Sequence, residues 1–185
     1  MMNNAMHTGF KYWLGNETFH KEISLSKLSE HSDAVDEAFS IALSGKQPEA
    51  WRAAWLLGHY FNNEDERLTD RLDSLIQLIP SAQPDGYQRE LLKLIAKCSL
   101  NEAGAGVLAD VCFSIWEQNR KQSSVRSEAF KTLIRISEWY PEMKPELQLL
   151  FEQYADSLSR GIKQSLQQRL NQSITSERKP KNKNC

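Results

Sequence analysis

Apolar residues recur along this chain at the i, i+3, i+4, i+7 spacing of a single helix face. Val35, Ala38, Phe39 and Ala42 form one such stripe. Leu72, Leu75, Ile76 and Ile79 form a second, and Ala109, Cys112, Phe113 and Trp116 a third, each 37 residues after the last. A fourth stripe, displaced by one residue, runs through Leu147, Leu150, Phe151 and Tyr154. Between the stripes the chain is punctuated by Gly and Pro. Gly45 ends one run and Pro48 stands at the first turn of the next, Pro80 and Pro141 stop two others, and Pro145 starts the last. No Asn-Gly or Asp-Gly joins two alternating runs, and Asp85-Gly86 leads into a helical pattern, so strands are not expected. The pattern predicts helices near 17–30, 33–44, 48–61, 66–79, 86–98, 103–118, 123–139 and 145–170, the last with a break around Ser159-Arg160-Gly161.

The helices between the stripes keep the same period. Arg52, Arg89, Arg126 and Lys163 are spaced by 37 residues each time and sit in related surroundings, such as Trp51-Arg52-Ala53-Ala54-Trp55 and Val125-Arg126-Ser127-Glu128-Ala129. A helix pair of this length cannot bury its apolar face alone, so a period of this size predicts pairs stacked on their neighbours around a continuous core. End helices then carry a polar outer side. Gln164, Gln167, Gln168 and Arg169 fit that role at one end. The helix over 17–30, with Phe19, Ile23 and Leu28 among Lys21, Glu22, Lys27 and Glu30, fits it at the other.

Val125-Arg126-Ser127-Glu128-Ala129-Phe130-Lys131-Thr132-Leu133 resembles the V-R-x-x-A-x-x-x-L opening of the second helix of a HEAT repeat, with looser copies at Trp51–Trp55 and Gln88–Leu92. The chain is thus similar to the HEAT and armadillo class of α-solenoids from about Asp33 to Leu170. The resemblance implies an all-α fold: a right-handed α-α superhelix of about four HEAT-like helix pairs with an N-terminal capping helix. Trp55-Leu56-Leu57-Gly58-His59-Tyr60 imitates the tetratricopeptide signature, but its internal spacing is one residue short in two places and the period is not 34.

Composition adds limits. With 23 basic and 24 acidic residues the net charge is -1, which excludes a generally basic nucleic-acid binder. The charge is uneven: Arg178, Lys179, Lys181 and Lys183 against Glu177 give residues 171–185 a charge of +3. The expected organisation is an N-terminal arm at 1–16, a HEAT-like domain at 17–170 and a basic disordered tail at 171–185. No apolar run approaches the about 18 residues needed to cross a bilayer, and the N-terminus has no charged segment ahead of an apolar core. Three scattered cysteines, Cys98, Cys112 and Cys185, suit a reducing interior, so a cytoplasmic protein is expected.

Chemistry-bearing constellations are sparse. His7, His20, His31 and His59 make no metal-binding spacing, no C-x-x-C occurs, and Cys112 lies on an apolar stripe as a core residue. Asn101-Glu102-Ala103-Gly104-Ala105-Gly106 lacks the ending of a phosphate loop and reads as close approach between helices. No catalytic residue, cofactor site or metal site is assigned, and the expectation is a protein that is not an enzyme. The basic column admits two readings, a binding stripe or an internal ladder of paired guanidinium groups; burial economics favour the ladder. Trp51, Trp55, Trp116 and Trp139 read as core at their helical spacing. The expected function is a scaffold binding a protein or peptide on its second-helix, concave face. The candidate contacts are Arg52, His59, Lys93, Lys97, Lys131 and Arg135. The alternative is a nucleic-acid-binding or DNA-repair solenoid resembling the alkylated-DNA glycosylases of this class, with Trp51 and Trp55 beside Asp85 or Glu90. A body charge of -4 over residues 1–170 opposes it.

Overall fold

The computed structural model describes Leu14, Leu25, Ser26, Leu28, Ser29 and residues 32–176. Every regular element among them is helical: α1 Ser32–Leu43, α2 Glu49–Tyr60, α3 Glu66–Thr69, α4 Leu72–Leu78, α5 Asp85–Ile95, α6 Glu102–Glu117, α7 Ser123–Ile136, α8 Lys144–Tyr154 and α9 Arg160–Ser176. Short 3-10 turns at Ile79–Ser81, Pro141–Met143 and Ala155–Ser157 extend α4, lead into α8 and follow it. The chain forms two compact units, Met1–Leu100 and Asn101–Cys185.

Local chemistry sets the boundaries. Gly45 takes φ 69°, a left-handed conformation that closes α1 at little steric cost. The Asp65 carboxylate accepts from the Arg67 backbone N–H at 3.1 Å and caps α3. Asn101 does the same for α6, accepting from Gly104 N–H at 2.7 Å. The run expected at 66–79 is two helices, because the chain turns at Asp70 and Arg71 before α4 begins. The last run divides at Ala155–Ser159, a few residues ahead of the expected break at Ser159-Arg160-Gly161, and Arg160 and Gly161 open α9. Helix α9 then continues to Ser176, past the expected boundary at 170, with Leu166, Leu170 and Ser173 on its buried side. The arm at 1–16 other than Leu14, most of the capping helix at 17–30, and residues 177–185 lie outside the described residues.

In the first unit α1 packs on α2 and α4, α2 on α5, and α4 on α5. Two helix pairs therefore lie with first helix beside first helix and second beside second. The stripe residues Val35, Ala38, Phe39, Ala42, Leu72, Leu75, Ile76 and Ile79 are all buried, as the 37-residue register requires. In the second unit α6 packs on α7, α7 on α9, and α8 on both α7 and α9. Its core is aromatic. Trp116 meets Phe130 at 4.3 Å between ring centroids and stacks on Phe151 at 6.3 Å, while Phe130 meets Phe151 at 5.6 Å. Of the third stripe, Phe113 alone is half-buried.

A second regularity lies in the backbone. Ala42, Ile79 and Trp116 are equivalent positions, each ending the apolar stripe of a first helix. Their carbonyls accept from long side chains on second helices: Tyr87 hydroxyl on Ala42, Gln88 Nε2 on Ile79 at 2.8 Å, and Arg126 Nε on Trp116 at 2.8 Å. Helix ends leave carbonyls with acceptor capacity that side chains can fill, and the Ile79 carbonyl also accepts from the Ala82 backbone N–H at 3.1 Å.

Burial pushes the Tyr87 hydroxyl up to about 12, so the fold favours the neutral phenol. An unfolded tyrosine ionises near ~10, so this contribution is complete below about pH 10 and is lost as pH rises through about 12. Tyr87→Phe should cost about 1–2 kcal/mol at neutral pH by orphaning the Ala42 carbonyl. It should also flatten the alkaline fall in stability. Urea unfolding at neutral and alkaline pH reads both effects, and an alkaline slope unchanged by the substitution would contradict the assignment.

Candidate functional site

Second helices α2 and α5 carry most of the predicted contact residues in the first unit. Their neighbourhood is fixed at both ends. At one, a Cβ on Gly86 would stand 3.7 Å from Trp51 Nε1, so the indole lies against the start of α5. At the other, Lys97 Nζ donates to the Gly58 and Phe61 carbonyls, both at 2.7 Å, and so caps the end of α2. Between them Trp55 and His59 follow Trp51 at four-residue intervals, one face of α2. The His59 ring lies 4.1 Å from the Trp55 ring, and its Nδ1 is 2.8 Å from the Trp55 carbonyl. Trp51 is 37% exposed and Trp55 half-buried, which corrects their expected core placement. Trp139 is also exposed, at 49%, because α7 ends at Ile136 and the indole follows the last helical turn. Trp116, by contrast, is fully buried.

On α5, Glu90 is buried with its carboxylate between two cations. Arg89 approaches one oxygen with Nε at 2.9 Å and Nη2 at 2.8 Å, and Lys93 Nζ lies 3.2 and 3.3 Å from the two oxygens. Glu90 is thus the shared partner of two basic side chains on its own helix. In the second unit Lys131 pairs with Glu128 at 2.9 Å, and Arg135 is half-buried one turn further along α7. The six expected contacts thus fall into two groups, four in the first unit and two in the second. Head groups among the six also serve backbone: Lys97 and the His59 Nδ1 as above, and Arg52, whose Nη1 donates to the Leu14 carbonyl at 2.6 Å.

The basic column is an internal ladder at its best-buried step. Arg126 is 1% exposed and donates to the Trp116 carbonyl, to Ser157 Oγ at 2.6 Å and to the Tyr154 carbonyl at 3.4 Å. Its guanidinium lies 5.0 Å from the Trp116 ring. One side chain thereby ties α7 to the ends of α6 and α8. Lys163 pairs with the exposed Asp156, whose carboxyl it holds below the usual range. The carbonyl acceptors were beyond sequence reasoning, since a backbone oxygen has no residue type to signal it.

The remaining features are structural. Cys98 and Cys112 are buried thiols, and burial pushes Cys112 up, away from the reactive thiolate. Gly104 is buried at the Asn101 cap. Gly106 is exposed, with nothing within 4 Å of the place a Cβ would occupy, so close helix approach does not explain it. Among the described residues no group of three or more His, Cys, Asp or Glu side chains is placed to hold a metal ion. No helix among them is long and apolar enough to cross a membrane.

The helix pairing, the 37-residue register and the buried arginine all point one way, and a family model decides it: the HEAT repeat domain model matches residues 15–173. The chain belongs to the HEAT repeat family. It is an all-α, HEAT-like repeat protein, of a family that generally serves as helical scaffold and commonly in protein interaction. Neither the comparison with curated proteins nor that with solved structures gives a significant match. Within each unit the second helices make the larger part of the contact between the two helix pairs, α2 with α5 and α7 with α9.

Proposed function

We propose that this HEAT repeat protein is a cytoplasmic, non-enzymatic scaffold that binds a protein or peptide partner on its second-helix face. The observation that carries the reading is the distribution of chemistry on that face. In the first unit Trp51, Trp55 and His59 follow one another along α2 with Lys93 on α5 beside them, and in the second unit Lys131 and Arg135 lie one turn apart on α7. Trp and Arg are among the residue types that dominate binding energy at protein interfaces. His59, Lys93, Lys131 and Arg135 are the proposed contacts, while Arg52 and Lys97 have head groups occupied by backbone carbonyls and support the surface from beneath.

Site-specific photocrosslinking in native extract tests this. A crosslinker placed in turn at His59, Lys131 and Arg135 on second helices, and at Val107 and Leu149 on first helices, should trap a repeatable protein adduct from the second-helix positions only. Adducts confined to Val107 and Leu149, or nucleic acid trapped at His59, would overturn the proposal.

A further inference from the structure

The first unit separates its charge by layer. Across residues 45–61 and 81–100, which contain α2 and α5, five Lys and Arg stand against three Asp and Glu. Across 32–44 and 62–80, which contain α1, α3 and α4, eight acidic residues stand against two basic ones. The second-helix layer is therefore positive, whereas the first-helix layer beside it is negative. On that positive layer two stripes run side by side. One is Trp51, Trp55 and His59 along α2. The other is Gly86, Arg89 and Lys93 along α5, aligned with the first by the Trp51–Gly86 contact and by the reach of Lys97 to the end of α2. The indole edge of Trp51 lies at van der Waals distance from the place a Cβ would take at Gly86. Arg89 and Lys93 both meet the buried carboxylate of Glu90, and the Lys93 side chain reaches solvent.

We infer that this strip is the docking site for an acidic segment of a partner protein that carries an aromatic or aliphatic anchor. The inference rests on the second-helix reading above and names its partner's chemistry. The eight residue steps from Trp51 to His59 rise about 12 Å, enough to seat two turns of a helix or about four residues of an extended peptide. The anchor packs on the Trp51 and Trp55 faces, and carboxylates of the segment meet Lys93 and Arg89. Complementary charge supplies orientation and on-rate, while the tryptophans supply most of the binding energy. A single-stranded nucleic acid would also offer stacking and negative charge. The protein segment is favoured because Glu49, Asp85 and Glu90 interrupt the cations, so there is no continuous track for a phosphate backbone.

The test is selection of an unbiased peptide display library on the full chain, followed by titration of the enriched peptides against variants checked by circular dichroism. Enriched sequences should combine Asp or Glu with an aromatic or large aliphatic residue. Their affinity should fall at least about tenfold in Trp51→Ala and at least about fivefold in Lys93→Glu, and weaken as salt is raised. Lys93→Glu sets a second carboxylate beside the buried Glu90, so Lys93→Gln, which removes the cation without adding a charge, is titrated beside it and should weaken binding in the same direction. Enriched peptides lost in Lys131→Glu or Arg135→Glu but indifferent to Trp51→Ala would overturn this strip and leave the second-helix reading standing. Peptides indifferent to all of these variants would overturn both. Basic consensus sequences, no enrichment at all, or a labelled oligo-dT that binds at low salt and is lost in Trp51→Ala would each overturn the acidic-segment inference.

Discussion

Replacing Arg126 with alanine is expected to destabilise the protein by about 3–5 kcal/mol, the range for breaking a buried, hydrogen-bonded charge. The guanidinium donates to two carbonyls and a hydroxyl and lies over an indole, and it is almost wholly removed from water. Truncation leaves the Trp116 and Tyr154 carbonyls without that donor, and an orphaned buried acceptor costs about 1–3 kcal/mol. Arg126→Lys should recover less than half of the loss, because an ammonium on a flexible stem cannot reproduce the planar fork that meets all three acceptors. Arg89→Ala makes the contrast. It shares the 37-residue register, but its side chain is partly exposed and pairs with the adjacent Glu90, so about 1 kcal/mol is expected. Urea unfolding of the three variants measures this ordering. An Arg126→Ala loss below about 1 kcal/mol would mean that the buried step of the ladder contributes nothing beyond an exposed pair.

Trp116→Ala should be comparably severe, about 3–5 kcal/mol and a fall of about 10 °C in thermal midpoint. The indole is fully buried between Phe130 and Phe151, and its N–H donates to the Leu150 carbonyl at 3.3 Å. Removing it opens a cavity that three helices, α6, α7 and α8, line together. Because Arg126 lies against the same ring and holds the Trp116 carbonyl, the two substitutions should not add. A double-mutant cycle should give a coupling of about 1 kcal/mol or more, and strict additivity would place them in separate environments.

The architecture was legible because it rests on period and side-chain type. Three stripes in register at 37 residues required stacked helix pairs, and the arginine-bearing opening of α7 carried the family resemblance. What escaped the sequence was decided by coverage and by backbone. Helical spacing places Trp51 and Trp139 on apolar-looking faces, yet no neighbour covers Trp51 fully, and Trp139 falls beyond the end of its helix. The donors Tyr87, Gln88 and Arg126 are different residue types doing one job at equivalent carbonyls, so no repeated letter marks them. Lys97 looked like a contact residue for the same reason: its two acceptors are main-chain oxygens. The candidate surface was therefore visible as a list of residues, while the division between head groups that support it and side chains that face outward needed coordinates.

Whether partners meet the second helices is tested most directly by hydroxyl-radical footprinting of the full chain, alone and with the partner trapped by crosslinking. Oxidation of Trp51, Trp55 and His59 should fall on binding, while Val107 and Leu149, exposed on the first helices α6 and α8, should be oxidised as before. Protection of Val107 and Leu149 with Trp51 and His59 unchanged would contradict a second-helix binding face.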